Sequence, residues 1–294
     1  MNGYERTDLA CEMPDNASQK GVRLKKKRYA GIEAEEAIIS PGEGESASGR
    51  PAGRYATLHL DKIWLMDKKE SARAAEAIAA LLFDFLTEST GEAPGTHTAV
   101  LVAGLGNRFI TSDSIGPRTV DRVTVTNHAA DTDSLPSLLG CARVSAIAPG
   151  VVGQTGIEAA AIIRDTAKAV KANAIIAVDA LAARSTVRLG TTVQITDTGI
   201  RPGSGIGIRR TAVTKENAGV PVIAIGVPTA VDSATLVFDA LRKADIDSPS
   251  DELVRVLEEG RSYIVSPRES DLIADASSAL LAAAINRVLT PALT

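Results

Sequence analysis

This sequence predicts an α/β fold, a mostly parallel or mixed sheet flanked by helices on both faces, and three observations carry that expectation. Short apolar runs stopped by glycine or polar residues recur at residues 99–103, 144–148, 174–178 and 221–225, which is how strands buried on both faces read. Amphipathic stretches of helical period lie between or after them, at 156–171 and 229–243. Such alternation places helices across the sheet as crossovers. Aromatic residues make up only 3% of the chain, while Ala, Val, Ile and Leu dominate a hydrophobic share of 45%, as Ala-rich helices over branched strands require. A chain of 294 residues can bury a core without disulfide staples.

Taken in order, residues 1–56 are rich in charge, Gly and Ser, and Pro41-Gly42-Glu43-Gly44 and Ser48-Gly49-Arg50-Pro51 are loop signals, so this segment is expected to be poorly regular. Lys25-Lys26-Lys27-Arg28, soon followed by Glu33, Glu35 and Glu36, reads as a solvated run. A helix follows near residue 71, because Ala74, Ala75, Ile78, Leu81, Leu82, Phe85 and Leu86 share one helical face; Ser71 can cap it and residues 91–95 end it. The strands and helices named above come next. The last helix is signalled by Ser266-Pro267-Arg268-Glu269, an N-cap, a proline at the first helical position and a glutamate at the third, and should run to about Leu289 before Thr290-Pro291. The elements after this N-terminal segment then belong to one α/β domain.

Composition removes several chemistries. The 2 cysteines, Cys11 and Cys141, and the 3 histidines, His59, His97 and His128, have no metal-cluster spacing, so no metal and no cofactor are expected. A net charge of −4 offers no basic face for nucleic acid. Met1 to Asn16 carry charges and lack an apolar core segment, and the longest apolar runs, 218–227 and 279–285, fall short of a membrane span. The expectation is a cytoplasmic protein with no membrane partner.

In open α/β sheets, ligands bind beyond the carboxyl ends of the strands. After the first of these strands comes Gly104-Leu105-Gly106-Asn107-Arg108-Phe109, a dinucleotide fingerprint without its third glycine and with no Walker lysine. Its glycines serve a tight turn or a close approach of substrate backbone. Pro149-Gly150-Val151-Val152-Gly153 opens the next loop. Asp179 ends an apolar strand and Asp113 follows the end of another, so adjacent strands would bring the two carboxylates into one cleft. Such a pair repels, one member holds a proton, and the site gains a general acid and a general base. Either aspartate could instead cap the following helix.

Other nucleophiles fare worse. Ser204 lacks a Gly-x-Ser-x-Gly elbow, since Pro202 holds the first glycine's place. Cys141 reads as a small buried apolar residue. Asp197-Thr198-Gly199 is the triplet of pepsin-like proteases, but those enzymes are all-β and pair two copies; here Asp197, with Gly203 and Gly205, reads as shaping a substrate channel or a turn.

Together these loops resemble the germination protease family, spore endopeptidases that degrade small acid-soluble spore proteins. The resemblance rests on Gly104-Leu105-Gly106-Asn107 with Asp113 and Gly116-Pro117, on Ala148-Pro149-Gly150-Val151 with Thr155-Gly156-Ile157-Glu158, on Val178-Asp179-Ala180-Leu181-Ala182-Ala183-Arg184, on Asp197-Thr198-Gly199-Ile200 with Pro202-Gly203-Ser204-Gly205, and on Gly219 through Asp232. It implies a phosphorylase/hydrolase-like α/β fold as in hydrogenase maturation endopeptidases, a homotetramer, the spore core as location, and Asp113 and Asp179 as an aspartic-type catalytic pair. It also implies a zymogen that removes a short propeptide: Thr7-Asp8-Leu9-Ala10-Cys11-Glu12 matches the family's cleavage pattern, which puts self-cleavage between Asp8 and Leu9, makes residues 1–8 the propeptide and leaves residues 9–294 as a single α/β peptidase domain. In the expected mechanism one aspartate draws a proton from water and the other donates to the scissile carbonyl, while backbone N–H groups around Gly104, Gly106 and Asn107, or Gly150 and Gly153, hold the oxyanion. The metal-binding histidine of the maturation relatives has no counterpart in Gly226-Val227-Pro228-Thr229. The stretch 245–265 is shorter than the family pattern. The alternatives are a metal-dependent maturation peptidase and a catalytically silent homologue that binds spore proteins.

Overall fold

The computed structural model describes residues 6–13, 20–129, 140–203, 210–246, 249–259 and 263–293. Its strands are β1 (Val22–Tyr29), β2 (Ile32–Ile39), β3 (Gly53–His59), β4 (Ala99–Gly104), β5 (Arg143–Ile147), β6 (Ala174–Ala182), β7 (Thr192–Thr196), β8 (Val222–Asp232) and β9 (Ile264–Val265). The helices are α1 (Glu43–Ser48), α2 (Lys68–Thr90), α3 (Ile115–Val120), α4 (Val152–Thr155), α5 (Ala159–Ala169), α6 (Lys215–Ala218), α7 (Ser233–Lys243), α8 (Asp251–Glu259) and α9 (Ser270–Leu289). Eight strands lie in the order β1-β2-β3-β7-β8-β6-β4-β5, and β9 pairs with the far end of β8.

The expected mixed sheet is present. Strands β8, β6, β4 and β5 are parallel neighbours, while β7, β3, β2 and β1 extend the sheet antiparallel. Every residue of β4 and β8 is buried, as parallel strands covered on both sides demand. Val100 and Val102 of β4 pack with α2 and α9, whereas Leu101 and Ala103 face the cluster that holds Ile163 of α5. This is the period-2 alternation of a strand between two helical layers. By length and composition α9 is the one described helix that could cross a membrane, but more than half of it is buried and it packs on α2 and α3 as a core helix.

The N-terminal segment corrects the sequence reading. Residues 22–59 are not irregular: they form three antiparallel strands. In register, Lys26 faces Glu35, Lys25 faces Glu36 and Arg28 faces Glu33, so the basic run is an exposed edge strand whose charges match its partner's. Such cross-strand pairs and edge lysines stabilise a strand without apolar alternation. Tyr29 pairs with Ile32 across Ala30-Gly31, both at positive φ, the two-residue hairpin that suits strand twist. Arg54 of β3 reaches Glu36 at 2.9 Å and Glu88 of α2 at 2.7 Å, and lies 4.3 Å over the Phe85 ring, which fastens this extension to the helical layer.

Three boundaries also move. Helix α2 starts at Lys68 rather than near Ser71, because Asp67 and Glu70 form a reciprocal capping box: Glu70 N–H donates to Asp67 Oδ1 at 2.8 Å and Asp67 N–H to Glu70 Oε2 at 2.9 Å. Helix α9 starts at Ser270, since Val265 pairs with Val231 and makes Ser266-Pro267 the exit from β9 instead of a helix cap. Strand β8 runs on to Asp232, so 229–232 are strand, and Asp232 caps α7 by accepting the Thr235 N–H at 3.0 Å.

Candidate active site

The strands differ in length where the cleft forms. Gly104, the last residue of β4, pairs with Val178, but β6 continues to Ala182 beside β8, so Asp179 stands one residue past the end of its β4 neighbour. Its place in the alternation, with Ile175 and Ala177, puts its side chain on the α5 face, where the apolar cover gives out. Asp113 closes a 3-10 turn, Thr111–Asp113, after β4. That turn is held by the Thr229 hydroxyl, which donates to the Ser112 carbonyl at 2.6 Å, and by the Asn107 N–H, which donates to Asp113 Oδ2 at 2.8 Å. Gly106, at φ +105°, makes the approach possible: a Cβ there would stand 2.1 Å from the Asp113 carbonyl oxygen.

Asp113 and Asp179 line one cavity of about 410 Å³, together with Asp8, Gly106, Gly150 and Gly203. Burial pushes the Asp113 carboxyl up to about 6, against the pull of the Asn107 N–H. Asp179 is raised well above the usual carboxylate range, first by burial, then by the neighbouring Asp113 and Asp8 carboxylates, while the Ala180 N–H favours its ionised form. Two raised carboxyls in one cavity, one of them raised further by the charge of the other, can supply a base and an acid.

The cleft is occupied by the chain's own N-terminal segment. Asp8 extends the edge of β6: its N–H donates to the Ala182 carbonyl at 2.9 Å, and its Oδ2 accepts the Ala182 N–H at 2.9 Å. Leu9 is fully buried against Leu181, Ala183, Leu189 and Val231. The Asp8 carbonyl oxygen accepts from Arg50 Nη1 at 3.0 Å and Gln194 Nε2 at 2.9 Å. A second cavity of about 620 Å³ shares Asp8 and Leu181 with the first, so this segment stands between the two.

Other sequence candidates are placed differently. The Asn107 N–H is taken by Asp113 and is not free for an oxyanion. Gly104 packs against Gly116, whose carbonyl oxygen would lie 2.2 Å from a Cβ on Gly104, so its role is close packing of α3 on β4. Gly153 is exposed on α4 and does not line the cavity, whereas Gly150 does. Asp197 follows β7 and accepts the Arg54 N–H at 2.8 Å, so its carboxylate ties β7 to β3 rather than facing the cleft, although Thr198 and Gly199 line the second cavity. Gly205 and Ser204 lie outside the described residues. Cys141 is buried, as a small core residue. Arg50 and Gln194 were missed: Arg50 sits in a loop signal, and Gln194 in β7, a strand whose only hint is the β-branched pattern Thr192-Val193-Gln194-Ile195-Thr196.

A metal has a poor donor set here. Gly226, Val227 and Thr229 lie within β8 with no histidine, and among the described residues no three His, Cys, Asp or Glu side chains are grouped to hold an ion.

Comparison with known proteins agrees with the residue-level resemblance. The family model for germination protease matches residues 5–244. The chain is 36% identical to a germination protease of Caldanaerobacter subterraneus subsp. tengcongensis, over 98% of this chain and 95% of that one. It is 40% identical to that of Priestia megaterium, over 80% of this chain and 66% of the other. Among solved structures, a [NiFe] hydrogenase maturation protease HycI from Thermococcus kodakarensis aligns with a TM-score of 0.33 at 16% identity, covering 68% of this chain and 98% of that one. By a match that spans most of its length, the chain belongs to the germination protease family.

Proposed function

We propose that this peptidase is an aspartic-type endopeptidase of spore germination, made as a zymogen that cuts itself between Asp8 and Leu9 and then degrades small acid-soluble spore proteins. The observation that carries this reading is the seating of residues 7–12 across the cleft, with the Asp8 side chain beside Asp179 and the Asp8 carbonyl held by two donors. Asp113, whose charge is among the causes that raise Asp179, is the base that takes a proton from water. The water oxygen bonds to the Asp8 carbonyl carbon. Charge collecting on the carbonyl oxygen is met by Arg50 and Gln194, which take the role expected of the glycine loops. Since that oxygen has donors of its own, the proton on Asp179 goes to the Leu9 nitrogen as the C–N bond breaks, leaving a carboxyl on Asp8 and an amine on Leu9.

The family assignment supports the spore core as the site of action and a homotetramer as the assembly, the latter tested by sedimentation. The central test is digestion of a small acid-soluble spore protein, with N-terminal sequencing of the enzyme, for the parent and for Asp113→Asn and Asp179→Asn. Loss of either carboxylate should cost at least about 10²-fold. Parental rates in both folded variants, or a processed N-terminus other than Leu9, would sink the proposal.

A further inference from the structure

Residues 7–12 are held in a shape that names what the groove reads. Glu12 is only 3% exposed, and its carboxylate accepts two consecutive backbone N–H groups, from Arg184 at 2.6 Å and Ser185 at 2.9 Å. The Thr7 hydroxyl donates to the same carboxylate and accepts the Leu9 N–H at 3.0 Å, so the peptide is closed on itself by Thr7 and Glu12. The 3-10 turn Ala10–Glu12 brings the carboxylate back. Arg50 spans three successive carbonyls, of Thr7 at 3.1 Å, Asp8 at 3.0 Å and Leu9 at 2.8 Å, and Gln194 Oε1 accepts the Ala10 N–H at 2.5 Å. Ala10 is buried beside Ala37, Ile39 and Tyr55.

We infer that the paired amides of Arg184 and Ser185 are the specificity site for a carboxylate four residues after the cut, and that substrates bind as this Thr-closed turn rather than as an extended strand. Leu181, Ala183, Leu189 and Val231 select a branched apolar residue directly after the cut. Arg50 reads backbone and is indifferent to sequence. The inference rests on the peptidase proposal only in that substrate and N-terminal segment share one groove.

The test uses full-length chain carrying Glu12→Ala, which frees the amide pair, and a peptide with the sequence of residues 6–13, Arg-Thr-Asp-Leu-Ala-Cys-Glu-Met, beside versions with Glu12→Gln or Thr7→Val. Hydrogen exchange at the Arg184 and Ser185 amides reports binding, and peptide cleavage is read in the same samples. Charge-assisted hydrogen bonds predict that the Glu peptide protects both amides at a concentration about 10- to 100-fold lower than the Gln peptide. The Thr7→Val peptide should also weaken, and combining both changes should cost less than the product of the two. Equal protection by the Glu and Gln peptides, or none by either, overturns the inference. Protection without cleavage leaves it standing and removes the peptidase proposal; cleavage of Glu and Gln peptides at equal rates does the reverse. Competition by the same peptides against the parent chain's own segment gives the comparison again if Glu12→Ala folds poorly.

Discussion

Replacing Asp113 by Asn separates catalysis from stability. Burial raises the Asp113 carboxyl from 3.8 to about 6. A value higher in the folded than in the unfolded chain means that the native state binds the extra proton between those two pH values. The resulting stability is fully present below about 3.8 and is lost as pH rises through about 6. At about pH 7.5 the buried, ionised carboxylate then costs the fold about 3 kcal/mol relative to a neutral isostere. Asn keeps an acceptor for the Asn107 N–H and never ionises. Asp113→Asn should therefore be more stable than the parent at about pH 7.5 by up to about 3 kcal/mol, or roughly 5 °C in Tm for a chain of this size. The difference should shrink towards zero near pH 4, while cleavage at Asp8 falls by at least about 10²-fold. Thermal and urea unfolding of uncut protein, checked by intact mass, measure this across the pH range. Equal stabilities at about pH 7.5, or a gap that persists at about pH 4, would refute burial as the cause of the raised value.

Three further outcomes are expected. Self-cleavage should speed up as pH rises through about 6, where Asp113 ionises; initial rates between about pH 5 and 8 that fall throughout contradict its role as the base. Gly106→Ala places a Cβ 2.1 Å from the Asp113 carbonyl oxygen at a positive φ, so activity should drop by about tenfold or more with a lowered Tm, whereas Gly153→Ala, with nothing within 4 Å, should change neither by much. Arg54→Met strips the guanidinium from Glu36, which is 2% exposed, and should destabilise by about 3 kcal/mol in urea unfolding; a loss below about 1 kcal/mol would mean that Lys27 and Tyr29 suffice to hold that carboxylate.

The elements legible in the sequence are those whose surroundings are uniform. Strands β4, β6 and β8 are covered on both faces, so their burial is written locally as apolar runs, and α2 and α9 carry their buried faces at helical spacing. Strand β1 escaped because six consecutive residues of it are exposed, and what stabilises it is complementarity with β2, a relation between two segments. Strand ends were misplaced for a related reason: Asp179-Ala180-Leu181 and Gly226-Val227-Pro228 look like loop in isolation, yet they pair with each other.

The same division runs through the site. Asp179 directly follows an apolar run and Asp113 lies in the loop after another, so both could be picked out from order along the chain, and the pattern of residues 7–12 could be set beside a family's cleavage site. Whether those residues meet is a property of strand order: β4 and β6 are neighbours, β6 outruns β4, and a buried corner results in which both carboxyls are raised, Asp179 also by the charge of Asp113. Arg50 and Gln194 carry no local mark of function, since they meet Asp8 across 42 and 186 residues of chain. Sequence by itself determined the α/β class and singled out the two aspartates and residues 7–12, because burial periodicity and residue type are local. Only the tertiary structure decided which donors hold the Asp8 carbonyl and the Glu12 carboxylate, because a hydrogen bond depends on distance in space, and folding alone brings those atoms within reach.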